Sequence, residues 1–469
     1  MLISFFAFFT LFTLLGIAAA FWRKENVDDY LLASRSIPAW MVGLSFGATI
    51  SSGATFIGFA GLAYHSGITA IYTVAGLMIG DYIGWRIAGN KVRQISCKKG
   101  LHTYPSLVGK LGEKEMPKIS FLTAVLTVIF MGTYCAAQLV AGAKVGAALF
   151  DWNFTAFVLI GAGVLLAYCW AGGIRASIWT DAAQALIIML SLLILIVAGL
   201  DKIGGFGEMW SQLTAIDPDL TNPFRMTLLS AAVGWFFFGI GILGQPQLMV
   251  RHMVAKCDAD IAPARRIYVG WRVAVLVLAV MSGLIGRILI PHAETFDPEL
   301  SIPLLWQDLL PPVLVGLLIA GLFSATMSTA DSLLLSASSA LTQQIIPEFA
   351  PQWKNSYFFA RLGTILIVIL ITAIALVATK GVLALVILAW GGMGSAIVPF
   401  IILQLLGFTV TQRQALIMMV SGFAVMALWR YVLGWHTVLL DLVPGMIAGF
   451  VVYGILSFAR GSKSADQPI

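Results

Sequence analysis

One stretch of the sequence decides the fold: Leu44-Ser45-Phe46-Gly47-Ala48-Thr49-Ile50-Ser51-Ser52-Gly53. It lies in an apolar run long enough to cross a membrane, but small and hydroxylic residues interrupt it. Because lipid cannot satisfy free backbone amides and carbonyls, a helix that breaks at this depth must line a cavity or be buried in protein. The stretch therefore predicts a broken transmembrane helix.

A second interrupted stretch follows in the later half of the chain: Gly239-Ile240-Gly241-Ile242-Leu243-Gly244-Gln245-Pro246. Paired broken helices are typical of secondary transporters, because freed carbonyls bind cations and freed helix N-termini attract anionic groups. Glycine is also common in membrane helices, where it allows close packing, and this alternative could explain either cluster alone. Two clusters at repeat-related positions favour a transporter.

The composition places the whole chain in a bilayer. Hydrophobic residues make up 59% of the 469 residues, charged residues only 11%, and the mean hydropathy is +0.94. The basic pI near 9.1 comes from residues in short loops, without a long basic run, so it indicates contact with anionic lipid rather than nucleic acid. The expected partners are the lipid bilayer and small solutes; nothing indicates an obligatory protein partner.

Apolar runs predict an all-α membrane protein with about thirteen transmembrane helices. The leading run covers residues 2–22. We number the others as spans 1 to 12, at about 38–64, 67–88, 119–149, 154–172, 178–200, 226–248, 264–290, 310–345, 357–379, 381–407, 412–434 and 436–458.

The two interrupted stretches head equivalent blocks of five spans. Five crossings invert the second block relative to the first, which is the parity of inverted-repeat carriers. The sequence thus predicts one transporter domain, 1–469, with the following parts: a leading helix and loop at 1–37, repeat 1 at 38–200, repeat 2 at 226–407, two trailing helices at 408–458 and a cytoplasmic tail at 459–469.

The charges around the leading run predict the orientation. No basic residue precedes it and Arg23-Lys24 follows it, which favours an uncleaved anchor with its N-terminus outside. With alternate loops on opposite faces, most of the 28 Lys and Arg, including Lys91 and Arg93, fall inside. The C-terminus is then cytoplasmic, and the expected location is a bacterial cytoplasmic (inner) membrane.

Span 8 carries a hydroxylic stripe. Ala325, Ser328, Thr329 and Ser332 have i, i+3, i+4, i+7 spacing and so share one helical face. Hydroxyl oxygens, together with carbonyls from an unwound partner helix, suit a hard cation such as sodium. The alternative is a packing face whose hydroxyls bond to the carbonyl four residues back.

The carboxylates of Asp181, near the start of span 5, and of Asp331, within span 8, lie inside predicted spans. Ionisable groups inside a membrane are costly, and they tend to be functional or paired. Either carboxylate could neutralise a bound sodium ion, carry a proton, serve as a helix N-terminal charge or pair with a buried donor. Asp81 and Arg86 of span 2 are predicted to pair with each other.

Several motifs together resemble those of the sodium:solute symporter family. They run from about residue 28 to 400, and their order and spacing are more specific than any one of them: Asp28-Asp29-Tyr30-Leu31-Leu32-Ala33-Ser34-Arg35, the broken span with Ser51-Ser52-Gly53, Gly172-Gly173, Trp179-Thr180-Asp181, Gly244-Gln245-Pro246-Gln247 with Arg251, Ser324-Ala325-Thr326-Met327-Ser328-Thr329 and Trp390-Gly391-Gly392-Met393-Gly394. Tyr134 and the Gly-Gln-Pro turn are most similar to the proline-transporter branch.

The resemblance implies the leucine-transporter fold, with two inverted five-helix repeats whose first helices are broken. It also implies a sodium site where spans 1 and 8 meet, formed by the carbonyls of Gly47, Ile50 and Ala325 and the hydroxyls of Ser328 and Thr329. Some members have a second sodium site nearer the cytoplasm, at positions matched here by Asp181, Ser328, Asp331 and Ser332. Asp331 stands where a small or hydroxylic residue is frequent.

The solute positions depart from the proline-transporter branch. Phe238 and Ile242 stand where that branch has a tryptophan and a tyrosine, and Thr49 stands where it has an aspartate. We therefore expect a solute with a hydrocarbon part, whose carboxylate is held by hydroxyls near the broken helix ends. The candidate substrate-binding residues are Thr49, Ser51, Ser52, Tyr134, Gln138, Trp235, Phe238 and Ile242, although membrane aromatics more often pack or anchor.

The expected function is sodium-coupled symport of a small organic solute, an amino acid or a carboxylate, into the cell by alternating access. A proton-coupled carrier that titrates Asp181 or Asp331 is one alternative. A transporter-like membrane sensor or binding protein is another, but the sequence shows no output domain after the short tail. An enzyme is disfavoured because the chain has no P-loop, no HExxH and no Cys or His cluster.

Overall fold

The computed structural model describes residues 2–22, 24–150, 152–224, 228–290, 301–354, 356–378 and 381–465. Within these ranges the regular structure is helical, apart from an isolated parallel bridge between Ile37 and Ala255. Arg23, part of the basis for the predicted orientation, lies outside the described residues.

Span 1 is broken where the sequence predicts. Its first half is the helix Ala39–Ile50 and its second half is Gly53–Ser66. Between them, Ser51 and Ser52 leave helical geometry, with ψ angles of 68° and 170°. The Ser51 amide ends the first half by donating to the carbonyls of Gly47 and Ala48, both at 3.1 Å.

Span 6 is broken as well. The helix Leu228–Ile240 passes through a 3-10 turn, Gly241–Gly244, into the helix Pro246–Met253, and the axis bends by 57°. Pro246 occupies the first turn of the second helix, where its missing amide leaves no hydrogen bond unmade. Both interruptions predicted from the sequence are therefore confirmed.

The remaining long helices follow the predicted order. They are Leu2–Ala19 for the leading run, Ala70–Lys98 for span 2, Pro117–Phe150 for span 3, Phe154–Ile203 for spans 4 and 5, Ile261–Leu289 for span 7, Pro312–Ala340 for span 8, Tyr357–Val377 for span 9, Val382–Leu405 for span 10, Gln412–Ala427 for span 11 and Leu442–Ala465 for span 12. Short helices lie in the connections at Val27–Leu32, Tyr104–Gly109, Phe206–Ile216, Ser301–Leu309 and Ile346–Phe349.

Nine helices of the described part are long and apolar enough to cross a membrane, or ten if the bent pair of span 6 counts as one. Ala39–Ile50 and Phe154–Ala167 are apolar but shorter. The exact number of thirteen stays a prediction, since broken and kinked spans divide into pieces below the length of a full crossing.

Two glycines allow neighbouring segments of the bundle to pack closely. Gly173 joins spans 4 and 5 with a φ of 56°, and a Cβ there would lie 2.4 Å from the Tyr30 carbonyl oxygen. At Gly80 a Cβ would lie 2.1 Å from the Phe236 carbonyl oxygen, so spans 2 and 6 touch backbone to backbone. Neither position accepts a side chain without a shift of the backbone.

Span 8 lies at the centre of the bundle. It packs against spans 3 and 5 and the first half of span 1, and every residue from Leu318 to Ala340 is buried. Of an apolar stretch of 18 residues in each span, 83% is buried in span 8, compared with 28% in spans 11 and 12. The hydroxylic stripe of span 8 therefore faces protein, whereas the trailing helices lie at the periphery.

Candidate functional site

The hydroxylic stripe of span 8 meets span 1 at its break. Ser328 and Thr329 both donate to the Ala325 carbonyl, at 3.1 and 3.2 Å. Across the helix interface, Ser328 reaches the Ala48 carbonyl at 3.4 Å and Thr329 reaches the Thr49 carbonyl at 2.9 Å. Five oxygen atoms thus converge where the two spans touch, and all five residues are buried.

The carbonyls that the resemblance implied, Gly47 and Ile50, flank those that span 8 contacts. The Gly47 carbonyl accepts the Ser51 amide at 3.1 Å, and the Ile50 carbonyl accepts the Thr55 hydroxyl at 3.3 Å. Since carbonyl oxygens have two lone pairs, the Gly47 carbonyl can accept another partner. The Ile50 carbonyl also accepts a weak hydrogen bond from Arg272 at 3.5 Å, which an ion bound there would have to replace. The carbonyls that span 8 contacts directly are those of Ala48 and Thr49.

A charged cluster lies next to this junction, on the side toward the second half of span 6. It consists of Asp181, Asp331, Arg251, Ser177 and Ser332, all buried. Arg251 donates to Asp181 at 3.0 Å, to Ser177 at 3.1 Å and to Ser332 at 2.5 Å. Asp331 accepts hydrogen bonds from Ser177 at 2.7 Å and from Ser332 at 2.8 Å. Three of the four residues implied for a second cation site, Asp181, Asp331 and Ser332, thus lie together beside a guanidinium, whereas the Ser328 hydroxyl contacts the Ala325 and Ala48 carbonyls.

Thr49 belongs to this charged cluster rather than to a solute cavity. Its hydroxyl donates to Asp181 at 3.2 Å and lies 3.4 Å from the Ser332 hydroxyl. The helix ending at Ile50 turns this side chain toward spans 5 and 8, and its role in binding solute stays a prediction.

A small cavity of about 30 Å³ lies on the other side of the break. Four predicted solute-binding residues line it: Ser52, Tyr134, Trp235 and Phe238. The remaining lining residues are Ile50, Thr55, Phe59, Leu77, Arg272, Leu383, Val386 and Trp390. Because a water molecule needs about 10 to 15 Å³ of such space, the walls must move apart to admit an organic solute.

The other solute-binding candidates lie outside this lining. Gln138 accepts a hydrogen bond from the Gly53 amide at 3.2 Å and so stabilises the start of the second half of span 1. Ser51 accepts one from Arg272 at 2.6 Å. Ile242 is buried against span 2, where a Cβ on Gly84 would lie 2.8 Å from it. Ile242 therefore helps to pack spans 2 and 6 together and contributes nothing to the wall of the cavity.

Arg272 is a site residue that the sequence analysis missed. It lies midway along span 7, is 3% exposed and reaches both the cavity and the break in span 1. The signal was present, since an arginine within a membrane span is a functional candidate by default.

Asp81 does not pair with Arg86 as predicted. Its carboxylate accepts the Tyr268 hydroxyl at 2.6 Å and lies 4.0 Å from Nε of Arg272, while Arg86 is exposed. The two residues lie on opposite faces of span 2, because five positions along a helix do not return to the same face.

The chain is similar to known transporters along most of its length. The model of the sodium:solute symporter family matches residues 30–422. The high-affinity proline transporter PutP of Bacillus subtilis is 28% identical over 96% of this chain and 96% of its own length. The sodium/proline symporter of Escherichia coli is 29% identical over 99% of this chain and 93% of its own length.

Solved structures share the fold. A sodium-coupled sialic acid symporter in a substrate-bound, outward-open state matches with a TM-score of 0.80 at 18% identity, over 96% of this chain and 97% of that one. Mhp1, a nucleobase-cation-symport-1 family transporter in a closed conformation, matches with a TM-score of 0.59 at 13% identity, over 93% and 95%. The match of the family model across most of the sequence establishes that this chain belongs to the sodium:solute symporter family.

Proposed function

We propose that this sodium-coupled symporter binds its sodium ion where spans 1 and 8 meet. The ligands are the carbonyls of Gly47, Ile50 and Ala325 and the hydroxyls of Ser328 and Thr329. The observation that carries this proposal is that the Ser328 and Thr329 hydroxyls reach the Ala48 and Thr49 carbonyls, which lie between Gly47 and Ile50 at the end of the first half of span 1. A hydroxyl has two lone pairs besides its proton, so the same oxygen atoms can turn toward an ion.

Sodium at this junction would couple to the solute through the break. The ion holds span 1 against span 8, which favours the conformation that is open to the outside and ready for solute. Ile50 links the two sites, because its carbonyl belongs to the proposed sodium shell and the same residue lines the cavity. Coupling needs only a difference in affinity: about 1–3 kcal/mol changes the apparent affinity 5- to 150-fold, and the effect is reciprocal.

We also propose that Asp181, Asp331 and Ser332 form a second cation site, for sodium or a proton. The cluster brings two carboxylates beside one guanidinium, that of Arg251. Oδ1 of Asp181 is buried and has no hydrogen-bond partner among the described residues. A buried carboxylate oxygen without a partner is costly, and a bound cation or proton would relieve this cost.

The solute is proposed to bind in the cavity lined by Ser52, Tyr134, Trp235 and Phe238. Its polar wall and its aromatic wall together suit a small molecule with a carboxylate and a hydrocarbon part, an amino acid or a carboxylate. The names of the relatives, which are proline transporters, support the amino acid. We propose import across a bacterial inner membrane, with the N-terminus outside, the C-terminus in the cytoplasm, no chemical conversion of the solute and no obligatory protein partner.

The first test is thermal unfolding of the purified protein in detergent, against a library of amino acids, organic acids and sugars. Sodium or potassium is the only cation in each series. A solute that raises the unfolding temperature only in sodium supports both the solute site and the coupling, because a ligand stabilises the state that binds it. A shift indifferent to sodium would favour the proton-coupled carrier or a binding protein instead.

A further inference from the structure

Arg272 introduces a buried positive charge into the wall of the proposed solute cavity. Its side chain is 4% exposed and lies in the middle of span 7. A guanidinium removed from water needs a negative partner or a full set of hydrogen bonds, because an incompletely satisfied buried charge is costly.

The hydrogen bonds of Arg272 use only part of the guanidinium. Nη1 donates to the Ser51 hydroxyl at 2.6 Å and, more weakly, to the Ile50 carbonyl at 3.5 Å. Nε is buried without a hydrogen-bond partner in the described part of the chain. The neighbouring carboxylate, Asp81, lies 4.0 Å from Nε and accepts the Tyr268 hydroxyl instead. Asp81 and Arg272 thus form a long ion pair at 4.0 Å. No carboxylate of the described residues accepts two parallel hydrogen bonds from the planar fork, the arrangement that suits it best.

Apart from the hydroxyl-bearing residues Ser52, Thr55 and Tyr134, the rest of the cavity wall is apolar and aromatic. Phe238 and Trp390 stack with their ring centroids 4.8 Å apart, and Phe59 and Trp235 lie 5.2 Å apart. The twelve residues that line this cavity, all within the described ranges, include no carboxylate. An ammonium group would therefore enter without an ionic partner and would meet the positive charge of Arg272.

We infer that Arg272 binds the carboxylate of the transported solute, and that this solute is a monocarboxylate with a compact apolar body and no ammonium group. The inference rests on the proposal that this cavity is the solute site. The carboxylate would contact the part of the guanidinium that lines the cavity, and the apolar body would lie against Phe238 and Trp390. Because the cavity of about 30 Å³ must widen for any organic solute, a compact body requires the smallest separation of the walls.

Three ligands of matched size test the inference on the unsubstituted chain: cyclopentanecarboxylate, cyclopentanecarboxamide and proline. Each is titrated in sodium, and its affinity is taken from the rise in the unfolding temperature of the detergent-purified protein. We expect the acid to bind at least about tenfold more tightly than the amide and than proline, because only the acid accepts two charge-assisted hydrogen bonds without adding a cation. Equal or tighter binding of proline or the amide overturns the inference.

Substitutions then ask whether Arg272 causes the preference. Arg272→Met keeps the length of the side chain and should bring the ratio of acid to amide affinity close to one. Arg272→Lys keeps the charge without the fork and should reduce the ratio only partly. Arg266→Met is the matched control, since Arg266 is an exposed arginine of the same helix, and it should leave the ratio unchanged. A purely structural role of Arg272 would lower stability without changing this ratio.

The outcomes separate this inference from the proposed function. A preference for the acid that survives in Arg272→Met overturns the role of Arg272. If none of the three ligands binds but another solute gives a sodium-dependent shift, the monocarboxylate is wrong and sodium coupling stands. If Arg272→Met does not fold, the ligand series on the unsubstituted chain and the Arg272→Lys variant still decide.

Discussion

Arg251 donates a 3.0 Å hydrogen bond to Asp181, and both side chains are fully buried. The same guanidinium contacts Ser45 of span 1 and Ser332 of span 8, so one side chain of span 6 ties three other spans together. In the proposed second cation site, the Arg251 guanidinium is a fixed positive charge, whereas a transported sodium ion or proton is released. Burial of such an ion pair has a desolvation cost, and removal of only one partner is more destabilising because it leaves the other charge buried and unpaired.

Removal of Arg251 should therefore destabilise the protein more than removal of the whole pair. We expect Arg251→Met to cost about 3 to 5 kcal/mol, because it leaves Asp181 buried without its partner. The double variant Arg251→Met with Asp181→Asn should recover part of this loss. Thermal unfolding in detergent measures both, and a double variant less stable than Arg251→Met would contradict the pairing.

Ser328→Ala should weaken activation by sodium. Loss of one oxygen ligand is expected to raise the half-saturating sodium concentration about tenfold, or ~1.4 kcal/mol, as measured by uptake into proteoliposomes. Ser336→Ala is the matched control, because its hydroxyl is also in span 8 but donates to the Ser332 carbonyl of its own helix. Equal sodium dependence in Ser328→Ala and the parent would exclude Ser328 as a ligand.

Asp331→Asn tests the second cation site. If this carboxylate is balanced by sodium or a proton, its neutralisation should lower the charge moved per solute molecule by about one elementary charge. The measurement is the reversal potential of uptake in proteoliposomes at set sodium and proton gradients. Asp201→Asn, an exposed carboxylate at the far end of span 5, serves as the control. If Asp331→Asn moves the same charge per solute molecule as the parent, no transported cation depends on Asp331.

Asp29 should make stability depend on acid pH. Burial tends to raise the pKa of this loop carboxyl, but hydrogen bonds from Arg175, the Lys24 amide and Ser34 outweigh it and hold the pKa below its ordinary value of 3.8. Because the folded-state pKa is depressed, the contribution to stability is complete above 3.8 and is lost as the pH falls through the folded-state pKa.

We expect Asp29→Asn to reduce the stability near neutral pH and to flatten its loss in acid, as measured by thermal unfolding from neutral to acid pH. The control is Glu115→Gln, which removes an exposed carboxylate paired with Lys110, a kind of pair that contributes little. A parallel acid profile in Asp29→Asn and the parent would refute this role.

Gly173→Ala should impair folding. The φ of 56° at the junction of spans 4 and 5 costs an L-residue about 1 to 2 kcal/mol, and the new Cβ would clash with the Tyr30 carbonyl oxygen at 2.4 Å. Gly163→Ala, in the same helical segment, meets nothing within 4 Å and should be tolerated. The yield of monodisperse protein after detergent extraction compares the two, and equal yields would show that the junction can relax.

Much of the fold followed from the sequence because a bilayer imposes its constraints locally. Each apolar run long enough to cross had to be a helix, and the runs interrupted at Ser51-Ser52 and at Gly241–Gly244 had to break inside protein. The helical period likewise placed Ser328 and Thr329 on one face of span 8, and that face meets the break in span 1. These inferences needed only distances along one helix.

Which faces meet was decided by the tertiary structure alone. Periodicity could not show that Thr49 turns toward Asp181, that Ile242 packs against span 2 or that Asp81 lies beside Tyr268 and Arg272. The rotation of each helix about its axis depends on close contacts between distant segments, such as Gly80 against Phe236. The sequence by itself therefore determined the spans, their breaks and the hydroxylic stripe. The packing of the spans determined where Arg251 and Arg272 carry their charges, because a buried charge takes its role from the groups that surround it.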